Sequence, residues 1–360
     1  MRAEVLKYLW CPKCHADLEC VSTEREGDRT KEGTLTCVGC KASFPIRGFV
    51  PRFVSHKSYA ASFGAQWKTF ARSQIDRPGY NESQLRFDSE LGWTADMLKG
   101  KTVVEIGSGA GRFVDIVAQR GPALVIGLDI TDAVEAACQT VTYPNVQFVQ
   151  GDVFESPVRS ASMDFAYSIG VLHHTPDPQQ AFNAMVGLVR PDGNVAVSLY
   201  ETSPYHRPNR NSVRVTAIDA LWALNTFRCE LFRLVTTRVP DNVMIAYCKT
   251  VIPVLHYLNK IPVLGLVRYL VPSTCYRHLP VICSMVDTMD TYSTRIVHQY
   301  RGKDVFQWFS QLGLREIVLM NSRAGWVSLV AEVGDEQERN SRRRLSRQPK
   351  PPGELGYLEP

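Results

Sequence analysis

Short β-branched runs alternate with amphipathic stretches through the middle of the chain. The runs lie at 102–106, 124–130, 146–149, 164–169 and 194–200, and two more follow at 315–320 and 325–333. Runs of this length and composition predict strands. Between the first five the pattern changes to helical spacing. The stretch 112–119 stops at Gly121, and 132–141 opens on Asp132. Asp177-Pro178 precedes 179–189, which puts a capping carboxylate ahead of a proline at the first helical position. Pro191-Asp192-Gly193 reads as the turn into the next strand. Strand–helix alternation predicts a parallel sheet with helices on both faces. The last two runs are spaced to pair as a hairpin around Asn321-Ser322-Arg323-Ala324.

This α/β unit occupies 56–200 and 301–333. A cysteine-bearing segment, 1–55, precedes it, and 201–300 interrupts it. Within the interruption, 244–271 is strongly apolar but broken by Lys249, Pro253, Lys260, Pro262 and Arg268. That predicts two or three short helices forming a lid. The interruption carries 11 Lys/Arg against 6 Asp/Glu, enough to account for the net charge of the chain. A helical cap with its own core, an apolar substrate funnel and a peripheral membrane contact are all compatible with it. Residues 334–360 lack apolar periodicity and predict a disordered tail.

Composition narrows the function classes. The chain has 360 residues, 44% hydrophobic and 21% charged, which is globular rather than disordered. A net charge of +5 is too mild to indicate nucleic acid. No uncharged apolar run is long enough for an ordinary transmembrane helix. The first ten residues are too short and too charged for a secretory signal, so the expected location is cytoplasmic. Ten cysteines in a chain of this length do not suggest a disulfide framework.

The first strand runs into Glu105-Ile106-Gly107-Ser108-Gly109-Ala110-Gly111-Arg112. Glycines there let a backbone approach a ligand and turn into a helix. The spacing differs from the dinucleotide fingerprint, because Arg112 stands where its third glycine belongs. Asp129 ends the second strand, where a carboxylate can accept both ribose hydroxyls of an adenosine. Asp152 follows the third, where it can accept the adenine amino group. These groups sit at the carboxyl ends of strands, where ligands bind in open α/β sheets.

In that order, from about residue 101 to 200, the motifs resemble those of class I S-adenosylmethionine-dependent methyltransferases. The fourth-strand exit, Ser168-Ile169-Gly170-Val171-Leu172-His173-His174, is similar to the branch that methylates small molecules. The resemblance implies a Rossmann-like, seven-stranded, mostly parallel sheet whose seventh strand is antiparallel. It implies that Gly107, Gly109 and Gly111 line the methionine part and that Glu105 supports their loop. Asp129 would hold the ribose and Ile130 pack on the adenine. Asp152 and Val153 would meet the adenine edge, and Ser168 to Gly170 lie beneath the sulfonium. Ser62-Phe63-Gly64-Ala65-Gln66-Trp67 resembles the helix that covers the cofactor. The strip Asp290 to Arg295, with His298 to Tyr300, resembles the return from such lids to the active site. Tyr292, Arg295 and His206 are the substrate-side candidates.

Methyl transfer needs in-line alignment and, for some acceptors, loss of a proton. His173 and His174 follow the fourth strand and are the candidate bases, although holding the loop is an equally simple role. An Asn/Asp-Pro-Pro-aromatic motif and a Pro-Cys pair are both missing, which argues against amino-group and cytosine-carbon methylation. The expected acceptor is a small or lipid-like metabolite, methylated at oxygen. An RNA substrate is the first alternative, and a non-catalytic cofactor-binding scaffold the second.

Cys11-x2-Cys14 and Cys37-x2-Cys40 are two knuckles with the spacing to bring four thiolates to one structural Zn2+. Cys20 is left over, as a buried thiol without a partner. Residues 4–54 are similar to the zinc-ribbon activator subunit of tRNA, rRNA and release-factor methyltransferases. The resemblance implies that the ribbon docks on the catalytic domain and stabilises it, with nucleic-acid contact as the rival role.

Overall fold

The computed structural model describes residues 1–54, 61–202, 217–322 and 326–334. The turn residues Arg323 and Ala324, His206 and nearly all of the expected tail lie outside them. A 3-10 turn, Ala3–Tyr8, opens the chain. An antiparallel sheet follows, with β1 (Leu18–Glu26), β2 (Arg29–Cys37), β3 (Ser43–Arg47) and β4 (Val50–Pro51) in sequence order. Three helices come next, α1 (Ala61–Thr69), α2 (Glu82–Glu90) and α3 (Ala95–Leu98).

The alternating unit then runs β5 (Thr102–Ile106), α4 (Arg112–Ala118), β6 (Leu124–Asp129), α5 (Ala133–Thr140), β7 (Val146–Gln150), β8 (Met163–Ile169), α6 (Pro178–Gly187) and β9 (Val189–Tyr200). Every residue of β5, β6 and β7 is buried, because helices cover both faces of a parallel sheet. Asp177 caps α6 through its side chain, which accepts from the Gln180 N–H at 2.9 Å. The expected turn at Pro191 to Gly193 lies inside β9 as an irregularity. Pairing with β8 jumps from Met163–Val189 to Phe165–Asn194, and Asp192 has φ +60°.

The insertion is α7 (Ala217–Thr236), α8 (Asp241–Leu258), a 3-10 stretch (Leu264–Leu270) and α9 (Val281–Ser293). Its helices are longer than the sequence pattern suggested. The 18-residue α8 runs through Pro253, which removes one backbone hydrogen bond. Cys248, Ile252 and Leu255 pack against Met285, Val286 and Met289 of α9 and hold the helix across that gap. Phe70 joins the same cluster from the end of α1. The chain returns through α10 (Gly302–Gln311), β10 (Arg315–Leu319) and β11 (Trp326–Glu332).

The large sheet has the order β10-β11-β9-β8-β5-β6-β7. Strand β11 is antiparallel to both neighbours and the remaining pairs are parallel. The order reverses between β5 and β8, which opens a crevice at their carboxyl ends.

The small sheet closes the β7 edge. Arg52 bridges Gln150 in parallel, and the Phe53 N–H donates to the Gln150 carbonyl at 2.8 Å. On the other side Leu9 bridges Val158, and the Trp10 indole donates to the Ser156 carbonyl at 2.9 Å. The Arg52 guanidinium is buried and donates to Gln150 at 2.9 Å and to Glu135 at 2.8 Å, with Asp132 at 3.4 Å. Covering an edge strand removes its unpaired backbone groups from competition with other chains.

Removing Arg52 leaves those partners behind. We expect Arg52→Ala to lower stability by about 1–3 kcal/mol, read as a lower urea midpoint. Arg52→Lys should restore only part, because an ammonium cannot serve the fork geometry.

Candidate functional site

A cavity of about 630 Å³ opens at the carboxyl ends of β5, β6 and β8. Its floor is the glycine loop. Gly107 has φ +77°, and a Cβ there would lie 2.2 Å from Val171 Cγ1. Gly109 has φ +50°, and its Cβ would press on the Trp67 indole at 3.2 Å. Both line the cavity. Gly111 lines none of it and instead starts α4, with its α-carbon turned toward Val141, Phe148 and Ala137.

Asp129 is buried on the cavity wall. One oxygen accepts from the Gly109 N–H at 2.8 Å. The other accepts from the Thr131 N–H at 2.8 Å and its hydroxyl at 2.7 Å. Burial raises its pKa, and these three bonds oppose the shift. A carboxylate has about four lone-pair sites, so ribose hydroxyls can still be accepted. Ile130, Gly151 and Val153 continue the wall. Asp152 stands between the lining residues Gly151 and Val153, and one of its oxygens accepts the Phe154 N–H at 3.0 Å. Ser168 is displaced: it is fully buried and donates to the Ile106 carbonyl at 2.9 Å. Gly170, two residues on, does line the cavity.

Glu105 also reaches the cavity, and its carboxylate accepts from the Tyr167 hydroxyl at 3.1 Å. Burial pushes its pKa up to about 8. Among the described residues, three buried polar atoms on the lining residues have no protein partner: Gln66 Nε2, Ser108 Oγ and Arg86 Nη2. Buried polar atoms are seldom left so, and a ligand with a carboxylate and an amine would satisfy them. With Asp129 and the glycine cradle, the residues fit S-adenosylmethionine. Helix α1 covers this end through Phe63, Gln66 and Trp67.

The rest of the lining comes from Tyr200, Trp326, His174 and the insertion. Tyr200 donates to Asp290 at 2.7 Å, and Tyr276 donates to Asp287 at 2.6 Å. Burial raises Asp287 to about 6. His174 Nδ1 lies 2.8 Å from the Ile296 carbonyl. Burial lowers its pKa, while Asp290 and the Ile296 carbonyl pull the other way. His173 does not line the cavity. It is fully buried, with its ring 4.0 Å from that of Tyr200 and neither nitrogen partnered. The substrate-side candidates also shift. Tyr292 is fully buried and points at Arg228 and Cys229. Arg295 is exposed off the cavity, and His206 is not described. From α9, Asp287, Asp290 and Thr291 line the cavity.

In the ribbon, the Sγ atoms of Cys11, Cys14, Cys37 and Cys40 all lie within 4.8 Å of one another. Cys11–Cys40 is 3.6 Å and Cys14–Cys37 is 3.4 Å. Thiolates about 2.3 Å from a tetrahedral zinc would be about 3.8 Å apart, so the donor set fits. Cys20 is half-buried and has a neighbour, Thr30 Oγ1, at 3.9 Å.

The methyltransferase-domain family matches residues 104–197. A ubiquinone biosynthesis O-methyltransferase of Neisseria meningitidis is 30% identical over 163 residues, covering 42% of this chain and 68% of its own. An arsenite methyltransferase of Halobacterium salinarum is 35% identical over 118 residues, 31% of this chain and 30% of its own. A trans-aconitate 2-methyltransferase of Deinococcus radiodurans is 37% identical over 98 residues, 27% of this chain and 37% of its own. The chain therefore spans less than two thirds of the length of most of these relatives. The solved complex between the Haloferax volcanii Trm112 methyltransferase activator and the putative methyltransferase is 12% identical. That match covers 76% of this chain and 98% of that one, with a TM-score of 0.43.

Glu105 makes cofactor binding proton-linked. Burial raises its pKa to about 8 from about 4.5 in the unfolded chain, so its contribution to stability falls as pH rises between them. A cationic ligand favours the carboxylate. Binding of S-adenosylmethionine at pH 7 should release up to one proton. Calorimetry in two buffers of different ionisation enthalpy checks this, and Glu105→Gln should abolish the release.

Proposed function

Since the chain belongs to the S-adenosylmethionine-dependent methyltransferases, we propose that it methylates a small or lipid-like metabolite at oxygen. One observation carries the reading. A single cavity is lined both by the glycine loop and Asp129 and by His174, Tyr200 and Asp290. Its volume falls within the range of small-molecule sites, roughly 300–1,000 Å³. Relatives named for ubiquinone biosynthesis, arsenite and trans-aconitate support a small acceptor, and the first supports oxygen.

The bound cofactor supplies an electrophilic methyl group. The chain aligns, excludes water and handles the proton. Asp129 fixes the ribose and the glycine loop together. A carbonyl can only accept, so the Ile296 contact places the His174 proton on Nδ1. Nε2 is then the basic nitrogen of a neutral ring, suited to taking the proton of a hydroxyl. The Tyr200–Asp290 and Tyr276–Asp287 pairs offer hydrogen bonds that orient the acceptor. His173 supports the loop by packing under Tyr200. The four ribbon cysteines hold a structural zinc ion in the same proposal. Four thiolates leave no open coordination position for chemistry.

His174→Ala should cut turnover by about 10²–10⁴ while leaving cofactor affinity within a few-fold. Because burial lowers the pKa of His174, the wild-type rate should be flat through neutral pH and fall only below the ordinary imidazole range near ~6.5. Lost cofactor binding in the variant would instead mark a packing role.

For the ribbon, elemental analysis should find one zinc per chain, and Cys37→Ser should lose it. Zinc retained at full stoichiometry in that variant would mean other ligands. Loss of metal should also lower thermal stability, because such sites couple binding to folding.

A further inference from the structure

The outer surface of the insertion is apolar and, among the described residues, uncovered. Helix α7 carries Leu224, Phe227, Leu231, Leu234 and Val235 at helical spacings of three, four and seven, so they form one stripe. Each of the five is more than half exposed. The neighbouring 3-10 stretch adds Leu266 and Leu270, and Val263 just before it is 76% exposed. Arg228 joins these surfaces: its guanidinium donates from α7 to the Val271 carbonyl at 3.2 Å and to the Tyr269 carbonyl at 3.5 Å. Soluble monomers rarely expose contiguous apolar patches beyond about 300–600 Å², and larger ones mark interaction sites.

Charge selects the occupant. From 224 to 280 the chain has seven Lys/Arg and two Asp/Glu. One of the two acids, Glu230, is paired with Arg233 at 3.4 Å. Arg238, which follows Leu234 and Val235, and Lys260, which precedes Ile261 and Val263, are exposed beside the apolar residues. A second copy of this face would bring like charges together. A bilayer with anionic headgroups satisfies both features, taking apolar tips into its acyl boundary and cations at its surface. Among the described residues, no helix is long and apolar enough to cross a membrane. Helix α7 is about 30 Å long at 1.5 Å per residue and can lie in the plane instead.

We infer that this face of the insertion docks the enzyme on an anionic lipid bilayer, with α7 and the Leu264–Leu270 stretch lying in the headgroup region. The same insertion walls the acceptor end of the cavity through α9 and through Thr274, Tyr276 and Leu279, which follow that stretch in the chain. Docking therefore sets the cavity beside the bilayer. The surface itself does not depend on which acceptor is methylated.

The test is flotation of the full chain with vesicles of phosphatidylcholine alone or enriched in phosphatidylglycerol. Binding to the anionic vesicles, weakened by salt, is expected. Phe227→Ser with Leu231→Ser should lower partitioning roughly tenfold or more. Arg238→Glu with Lys260→Glu should remove the preference for the anionic lipid. All four positions lie off the cavity, so affinity for S-adenosylmethionine should be unchanged in both variants, which separates loss of docking from loss of fold. Wild-type protein that floats with neither vesicle overturns the proposal. So does a dimer, seen by light scattering, that the apolar variant dissociates while no lipid is bound. Because the readout is lipid binding and not turnover, its failure leaves the methyl-transfer reading standing.

Discussion

The site depends on one buried carboxylate. Asp129 stands at the end of β6, and its three hydrogen bonds reach Gly109, 20 residues earlier, and Thr131, two residues later. A buried acid without partners would be costly. Here backbone N–H groups offset that cost, and in doing so they fix the glycine loop at the switch point of the sheet. Gly107 can stand there only because it lacks a side chain that would collide with Val171. The close approach of Gly109 to Trp67 then seats α1 over the cavity. Strand end, loop and cover thus form one constrained unit.

The ribbon belongs to the same mechanical whole. Met1, Val5, Leu9 and Leu35 share a hydrophobic cluster with Val149, Val153 and Val158. Val153 is also on the cavity wall. A disturbance of the cysteine cluster therefore has a short packed path to the cofactor side. The Arg52 network adds a polar attachment at the β7 edge, where Glu135 also meets Lys68 of α1 at 3.0 Å. Burial of the ribbon against the sheet supports the docking role expected from its resemblance.

What was legible in the sequence was local and periodic. All seven strands of the large sheet, the glycine loop and the cysteine knuckles are written in runs and spacings that tertiary structure did not override. Errors fell where direction mattered. Asp152 and Val153 are adjacent, and a turn, not a pattern, decides that the valine lines the cavity. On α9, Asp287, Asp290 and Thr291 share a face by spacing of three and four, whereas Tyr292 points away from it. That helical face was readable once the segment was taken as a helix. Arg86 carried no signal, because only the assembled fold buries it. Pro253 argued for a break that packing against α9 bridged.

The cavity and the outer face of the insertion are electrostatic opposites. Six acids line the cavity, Glu82, Glu105, Asp129, Glu201, Asp287 and Asp290, against Arg86 and Arg112. The upward shifts of Glu105 and Asp287 come chiefly from burial, with neighbouring acids adding to them. A ligand bearing a sulfonium and an ammonium relieves that strain, and its single carboxylate can meet the open Nη2 of Arg86. Arg86 is in turn held by Glu90 at 2.8 Å and by the Trp326 ring at 3.9 Å, so the cation is placed before any ligand arrives. The same chemistry supports the proposed hydroxyl acceptor over an anionic one. A carboxylate or phosphate beside Asp287 and Asp290 would face two acids, whereas the proposed hydroxyl acceptor brings no charge, and its single proton would go to His174.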